Sequence, residues 1–206
     1  MNNPDLQLFQ YIQQGTKNAP AIFLLHGTGG TETDLLPLVA DFADSHTVIG
    51  IRGNVSENGM NRFFKRLAEG VFDQANIRAE AEKLSLFLNA WHAESGQDPT
   101  TSVYIGYSNG ANMILALLFL YPNLIDTAAL LHPILPFEPD PKLDLSNKKI
   151  FLSWGNNDQI IPAAESEKLL ATVRTYSLKL QIINTDSGHA ITQKEAATLQ
   201  DFIKNA

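Results

Sequence analysis

Short apolar runs alternate with helical patterns along most of this chain, and that alternation constrains its fold more than any other feature. Ala21–Leu25 is apolar at every position, as a strand buried on both faces must be. Thr47–Ile51 and residues 102–105 and 150–154 read the same way, and Thr127–Leu131 and 178–183 do so more weakly. Between them, Ile77, Ala81, Leu84, Leu88 and Trp91 recur at helical spacing, so one face of that segment is buried, and Gly96 supplies its stop. Residues 111–120 are apolar all round, which requires a helix covered on most sides and packed centrally against a sheet. Such alternation gives an α/β fold, a parallel sheet flanked by helices.

The outer parts carry weaker signals. Residues 6–13 alternate well enough for an edge strand, and 15–20 have turn chemistry. Pro162 fits the first position of a helix, and Thr192 with Glu195 forms a capping-box pattern for the last one. Residues 52–72 and 132–148 resist assignment, and the second stretch holds Pro133, Pro136, Pro139 and Pro141. Both follow predicted strands, so both should lie at the C-terminal edge of the sheet, where open α/β sheets bind ligands.

The 206 residues suit one domain spanning 1–206. A net charge of −7 repels phosphate backbones and argues against nucleic-acid partners. With no cysteine, the chain has no thiol nucleophile, thiolate metal site or disulfide. The first residues do not form a secretory signal, and the longest apolar run, from Met113 to Leu120, is too short to enter and span a bilayer. A soluble cytoplasmic protein is expected.

Gly106-Tyr107-Ser108-Asn109-Gly110 matches G-x-S-x-G. Five residues with three fixed could be an ordinary turn with a serine cap, but this one joins a predicted strand to a predicted helix. That setting is what a nucleophile elbow requires. A serine hydroxyl needs a base, for which histidine is best tuned. With the order serine, acid, histidine, His189 is the expected base; His132 leaves little sequence for an intervening acid. Of the carboxylates between Ser108 and His189, Asp158 alone sits in a loop directly after a strongly apolar strand. Asp186, in the loop of His189, is the second choice. The oxyanion donors are expected to be the N–H groups of Asn109 and of Thr28, within His26-Gly27-Thr28-Gly29-Gly30. This Gly-rich loop fits neither G-x-G-x-x-G nor a P-loop, and His26, which precedes the serine, reads as a residue holding the loop.

Together these pieces resemble the phospholipase/carboxylesterase family of small α/β-hydrolases without a separate lid domain, over almost the whole chain. A closer likeness is to bacterial carboxylesterases associated with hydroquinone and catechol resistance. It is carried by His26 to Gly30, Arg52-Gly53-Asn54-Val55, Glu57-Asn58-Gly59-Met60, Arg62-Phe63-Phe64 and Gly106 to Asn112. The resemblance implies an α/β-hydrolase fold and a triad at Ser108, Asp158 and His189, with oxyanion donors at Thr28 and Asn109. Acyl-protein thioesterases of the wider family carry glutamine after the nucleophile and an aspartate in the HG loop. Asn109 and Gly30 stand in those places here, which weakens a thioesterase assignment.

The expected activity is hydrolysis of small carboxylic esters through an acyl-enzyme, with no metal or organic cofactor. The alternatives are a lysophospholipase or thioesterase, or a non-catalytic small-molecule receptor. Met60, Phe63, Phe64, Ile134 and Leu135 are expected to wall an acyl or aryl pocket, unless Phe63 and Phe64 simply anchor their loop to the core. Arg62, Lys65 and Arg66 are expected to be solvated. A small-molecule ester is the expected partner, and the sequence leaves room for a homodimer.

Overall fold

A computed structural model describes residues 3–68 and 70–206. Its strands are β1 (Tyr11–Gly15), β2 (Ala21–Leu25), β3 (Thr47–Ile51), β4 (Val55–Glu57), β5 (Met60–Arg62), β6 (Arg66–Ala68), β7 (Val71–Phe72), β8 (Val103–Tyr107), β9 (Thr127–Leu131), β10 (Lys149–Gly155) and β11 (Lys179–Thr185). The α-helices are α1 (Gln74–Ser95), α2 (Asn109–Leu120), α3 (Ala163–Arg174) and α4 (Gln193–Lys204). Seven strands form the central sheet in the order β1-β3-β2-β8-β9-β10-β11. Only β1 runs antiparallel to its neighbour. This is the α/β-hydrolase fold, and no separate lid domain is inserted among the described residues.

The apolar runs became strands because both of their faces are covered. Along β2, Ala21, Phe23 and Leu25 point into the core that holds α1, α2 and α3. Ile22 and Leu24 point into the opposite layer, formed by α4 and the 3₁₀ turns of Leu36–Phe42. Helix α2 is buried from Asn109 to Phe119 and lies across the middle of the sheet. Burying each of its large apolar side chains contributes about 2 kcal/mol. Asp73 caps the start of α1, and Gly96, at φ 69°, ends it in the left-handed conformation.

Two sequence expectations need correction, and one unassigned stretch gains structure. Residues 6–13 are not one strand: Asn3 caps a 3₁₀ turn at Pro4–Gln7, which suits a proline in the first turn, and pairing with β3 begins only at Tyr11. Pro162 is the N-cap of α3, one position earlier than expected. The unassigned stretch 52–72 forms two small hairpins, β4/β5 and β6/β7. Residues 132–148 hold neither helix nor strand, and Thr192 with Glu195 does form the capping box of α4.

Strand order reverses between β2 and β8, since β2 passes to β3 on one side and β8 continues to β9 on the other. Such a switch point opens a crevice at the carboxyl ends of the strands. The loops following Leu25 and Tyr107 both emerge there.

Candidate active site

Ser108 joins β8 directly to α2 at φ 49°, ψ −111°, a sparsely populated backbone conformation. Its N–H is held by the Leu131 carbonyl at 2.8 Å, and its own carbonyl accepts the first helical bond, from Asn112 N–H at 2.9 Å. The flanking glycines are steric necessities. A Cβ at Gly110 would collide with the Leu25 carbonyl, and one at Gly106 would stand 2.6 Å from the Ala111 nitrogen. Helix α2 can therefore approach β2 and β8 only because these positions lack side chains.

The structure brings Ser108, His189 and Asp158 together. Ser108 Oγ lies 2.9 Å from His189 Nε2, and His189 Nδ1 lies 2.6 Å from Asp158 Oδ2. Asp158 follows β10, and its Oδ1 accepts the N–H groups of Ile160 and Ile161 at 2.8 and 2.9 Å. Burial pushes its carboxyl up, but the bonds from His189 and the two amides outweigh this and hold it below its ordinary value. The His189 loop is stitched to the Asp158 loop by Asn157 N–H donating to the Ser187 carbonyl at 2.9 Å. Tyr107 OH donates to the His189 carbonyl at 2.8 Å. Asp186 instead faces Asn156, whose Nδ2 donates to it at 3.1 Å, so the second candidate acid is turned away from His189.

Thr28 lies exposed after β2, while Asn109 begins α2. Among the described residues neither backbone N–H meets a protein acceptor. The Asn109 N–H also belongs to the unpaired first turn of a helix, whose dipole favours negative charge. The Thr28 loop is fixed from several sides. Gly29 N–H donates to the Asn61 carbonyl at 2.8 Å, and Asn61 Nδ2 donates to the Gly30 carbonyl at 2.8 Å. His26 Nδ1 meets the Gly27 carbonyl at 2.6 Å, and His26 Nε2 accepts Gly53 N–H at 3.0 Å. Burial lowers the pKa of this histidine, which favours the neutral tautomer those two bonds require. Its role is thus to hold the loop, as read from the sequence.

The expected pocket wall is corrected in part. Phe63 and Phe64 are 1 % and 0 % exposed. They pack against His26 and Phe72 as core anchors. Met60 is exposed beside Gly29, and Ile134 and Leu135 are half-buried. The cleft beside the site, about 310 Å³, is instead lined by residues including Thr28, Leu35, Tyr107, Ala190 and Ile191. A larger cavity of about 930 Å³ opens among residues such as Pro20, Thr127 and Lys149, at the opposite ends of the strands and remote from Ser108.

Sequence reasoning missed the side-chain contacts of four residues here. Arg62, expected to be solvated, is only 4 % exposed. It donates to Thr28 Oγ1 at 2.8 Å and to the Phe64 carbonyl at 3.1 Å, and faces Glu57 at 3.4 Å. Its charge is tolerated inside because hydrogen-bonding partners surround it. Asn109 Oδ1 accepts Phe63 N–H at 2.7 Å, and Asn112 Oδ1 accepts Ile134 N–H at 2.8 Å, so α2 pins both irregular stretches over the site. His132 is fully buried, with Nδ1 3.4 Å from Asp158 Oδ2 and Nε2 2.9 Å from Glu195 Oε1. Its position was readable in outline, because it follows β9, the neighbour of β8 at the same sheet edge.

His132, Asp158 and His189 together offer donors within 4.8 Å of one another, a spacing that could hold a metal ion. Both ring nitrogens of His189 are already directed at Ser108 and Asp158, however, and neither is free for a metal.

Glu195 gives a prediction about stability. Burial would raise its carboxyl, but contact with His132 and the bonds from the Thr192 N–H and hydroxyl bring the pKa down to about 2. A pKa depressed by folding stabilises the native state above the unfolded value, here near 4.5, and that stabilisation is lost as pH falls toward about 2. Urea midpoints should therefore drop across this window. Glu195→Gln should be less stable at neutral pH and show a flatter acid limb; parallel curves for the two proteins would refute the assignment.

The Phospholipase/Carboxylesterase family pattern matches residues 7–206. The chain belongs to that family. It is 37 % identical over 195 residues to the protein named "Putative hydrolase MhqD" from Bacillus subtilis (strain 168), covering 94 % of this chain and 96 % of that one. It is similar to the crystal structure of a Bacillus cereus carboxylesterase, with TM-score 0.90 and 36 % identity over 98 % of this chain and 99 % of the other. A carboxylesterase structure from Mesorhizobium loti matches with TM-score 0.89 and 28 % identity, over 97 % of this chain and 96 % of that one. Membership of this hydrolase family thus agrees with the resemblance read from Gly106 to Asn112 and from Arg52 to Phe64. Among the described residues no helix is long and apolar enough to cross a membrane.

Proposed function

We propose that the protein is a serine carboxylesterase acting on small carboxylic esters. The observation that carries this reading is the unbroken line from Ser108 Oγ through His189 to Asp158, at 2.9 and 2.6 Å, beside the unpaired N–H groups at the start of α2. Ser108 Oγ attacks the ester carbonyl while His189 Nε2 takes its proton. The carbonyl oxygen, now negative, is met by the N–H groups of Asn109 and Thr28, each worth roughly 3 kcal/mol to the transition state. His189 returns the proton to the leaving alcohol, and an acyl-enzyme remains. Water then gives a proton to His189 and attacks the acyl carbon, and His189 returns that proton to Ser108 Oγ as the acid leaves. Every proton and bond in this cycle is handled by the side chains and amides already named.

A cleft of about 310 Å³ beside Thr28 and Tyr107 has room for a small acyl or alcohol group. A panel of p-nitrophenyl esters, thioesters and lysolipids of graded chain length tests this. Turnover should be highest for short esters and fall as the chain lengthens. Preference for long-chain lysolipids or for thioesters would replace this reading with the lysophospholipase or thioesterase one, and no turnover of any member would favour a receptor.

A further inference from the structure

His132 is embedded between two carboxylates in a place water does not reach. Its side chain is 0 % exposed, and those of Asp158 and Glu195 are 2 % and 0 % exposed. The Nε2 of His132 and Oε1 of Glu195, 2.9 Å apart, are close enough for an ion pair though not aligned as a hydrogen bond. Among the described residues neither atom has another polar partner. The backbone at His132 is held at φ 50°, in a region uncommon for residues other than glycine. Its N–H is tied to the Ser153 carbonyl at 2.9 Å.

Both carboxylates are used as acceptors. Asp158 takes the N–H groups of Ile160 and Ile161 on one oxygen and His189 on the other. Glu195 takes the Thr192 N–H at 2.8 Å and the Thr192 hydroxyl at 2.7 Å on its Oε2. A neutral imidazole has one nitrogen with a lone pair and no proton. In this site that lone pair would face a carboxylate oxygen, whichever tautomer formed. A proton on each ring nitrogen removes the conflict and supplies one positive charge to two buried negative ones.

We propose that His132 is a positioning residue that carries a proton on both ring nitrogens and acts as the fixed buried counter-charge to Asp158 and Glu195. The proposal rests on the esterase reading for its consequence in catalysis. Besides the two carboxylates, the groups facing His132 are the His189 ring at 5.3 Å and the Tyr107 ring at 5.9 Å, both edge-on. Without a cation here, two uncompensated buried negative charges would lie beside His189. With the cation, His189 faces little more than the single charge of Asp158. His132 also fixes the face of Asp158 opposite the Ile160 and Ile161 amides.

Two measurements test this. In protein labelled with ¹⁵N-histidine, the His132 ring, assigned through its contact with Tyr107, should show two protonated nitrogens at neutral pH. A neutral ring at that pH overturns the proposal. Replacing His132 by Asn or Gln should displace the acidic limb of kcat/KM upward by about 1 pH unit or more, with the alkaline plateau reduced less. A folded variant whose pH profile superimposes on that of the wild type also overturns it. If both variants fail to fold, the spectrum alone decides. The spectrum does not require turnover, so the two readings fail separately. A neutral His132 in an active esterase sinks the counter-charge alone, whereas a doubly protonated His132 in a protein inert to every ester sinks the esterase reading alone.

Discussion

Ser108→Ala should lower kcat toward short p-nitrophenyl esters by roughly 10⁴- to 10⁶-fold and leave the fold intact. The side-chain oxygen has one protein partner among the described residues, His189 Nε2. The structural bonds of this residue are made by its backbone, to the Leu131 carbonyl and from the Asn112 N–H. Alanine suffers the same backbone strain at φ 49° as serine, so stability should change by no more than about 1 kcal/mol. A fluorophosphonate probe should label the wild type and not the variant. Circular dichroism and thermal unfolding establish that the loss is chemical. Turnover near the wild-type rate in a folded, unlabelled variant would remove Ser108 from the mechanism.

How much of this was legible depends on how local each signal is. Residues 21–25, 47–51 and 127–131 could be read as strands because a strand buried on both faces has no polar side to disguise it. The turn at Gly106 to Gly110 was legible as a motif between a strand and a helix, because close contacts with the adjoining strand and helix require its two glycines. The edge at β1 was blurred, since only one of its sides pairs and its residues stay half-exposed or exposed. The hairpins in 52–72 were invisible because their strands have only two or three residues, too short for a period to show.

Among the site residues, Asp158 and His189 followed from chain order plus placement after strands. His132 was set aside because it leaves little sequence after Ser108 for an intervening acid. Its place beside Asp158 arises from strand adjacency, with Tyr107 opposite Leu131 in the β8/β9 register. Arg62 was misread as solvated, together with Lys65 and Arg66, because acidic residues lie near them in the sequence. What draws it inside is its set of partners, Thr28, Phe64 and Glu57, which the sequence places but does not pair. Phe63 and Phe64 fell to the core because Asn109 pulls the Phe63 backbone down against α2.

Asp158→Asn is the second substitution with a large expected effect, and its logic is one of tautomers. The carboxylate accepts from His189 Nδ1 at 2.6 Å, which leaves Nε2 free to take the Ser108 proton. An asparagine can keep its carbonyl oxygen on the Ile160 and Ile161 amides, where Oδ1 now sits, so the loop should survive. Its NH₂ group then faces His189 Nδ1. That nitrogen must become the acceptor, and the ring proton moves to Nε2, opposite the Ser108 hydroxyl, where no base remains. The expected loss is about 10⁴-fold in kcat, equivalent to about 5.5 kcal/mol of transition-state stabilisation. Fluorophosphonate labelling should slow in parallel, because it needs the same activated hydroxyl. Asp158 also stabilises the fold through a lowered pKa, a contribution present above its unfolded value and lost as pH falls, so the variant should show a weaker acid dependence of stability. If Asp158→Asn keeps kcat within about tenfold of the wild type, the acid lies elsewhere, and Glu195, reaching the site through His132, becomes the next carboxylate to replace.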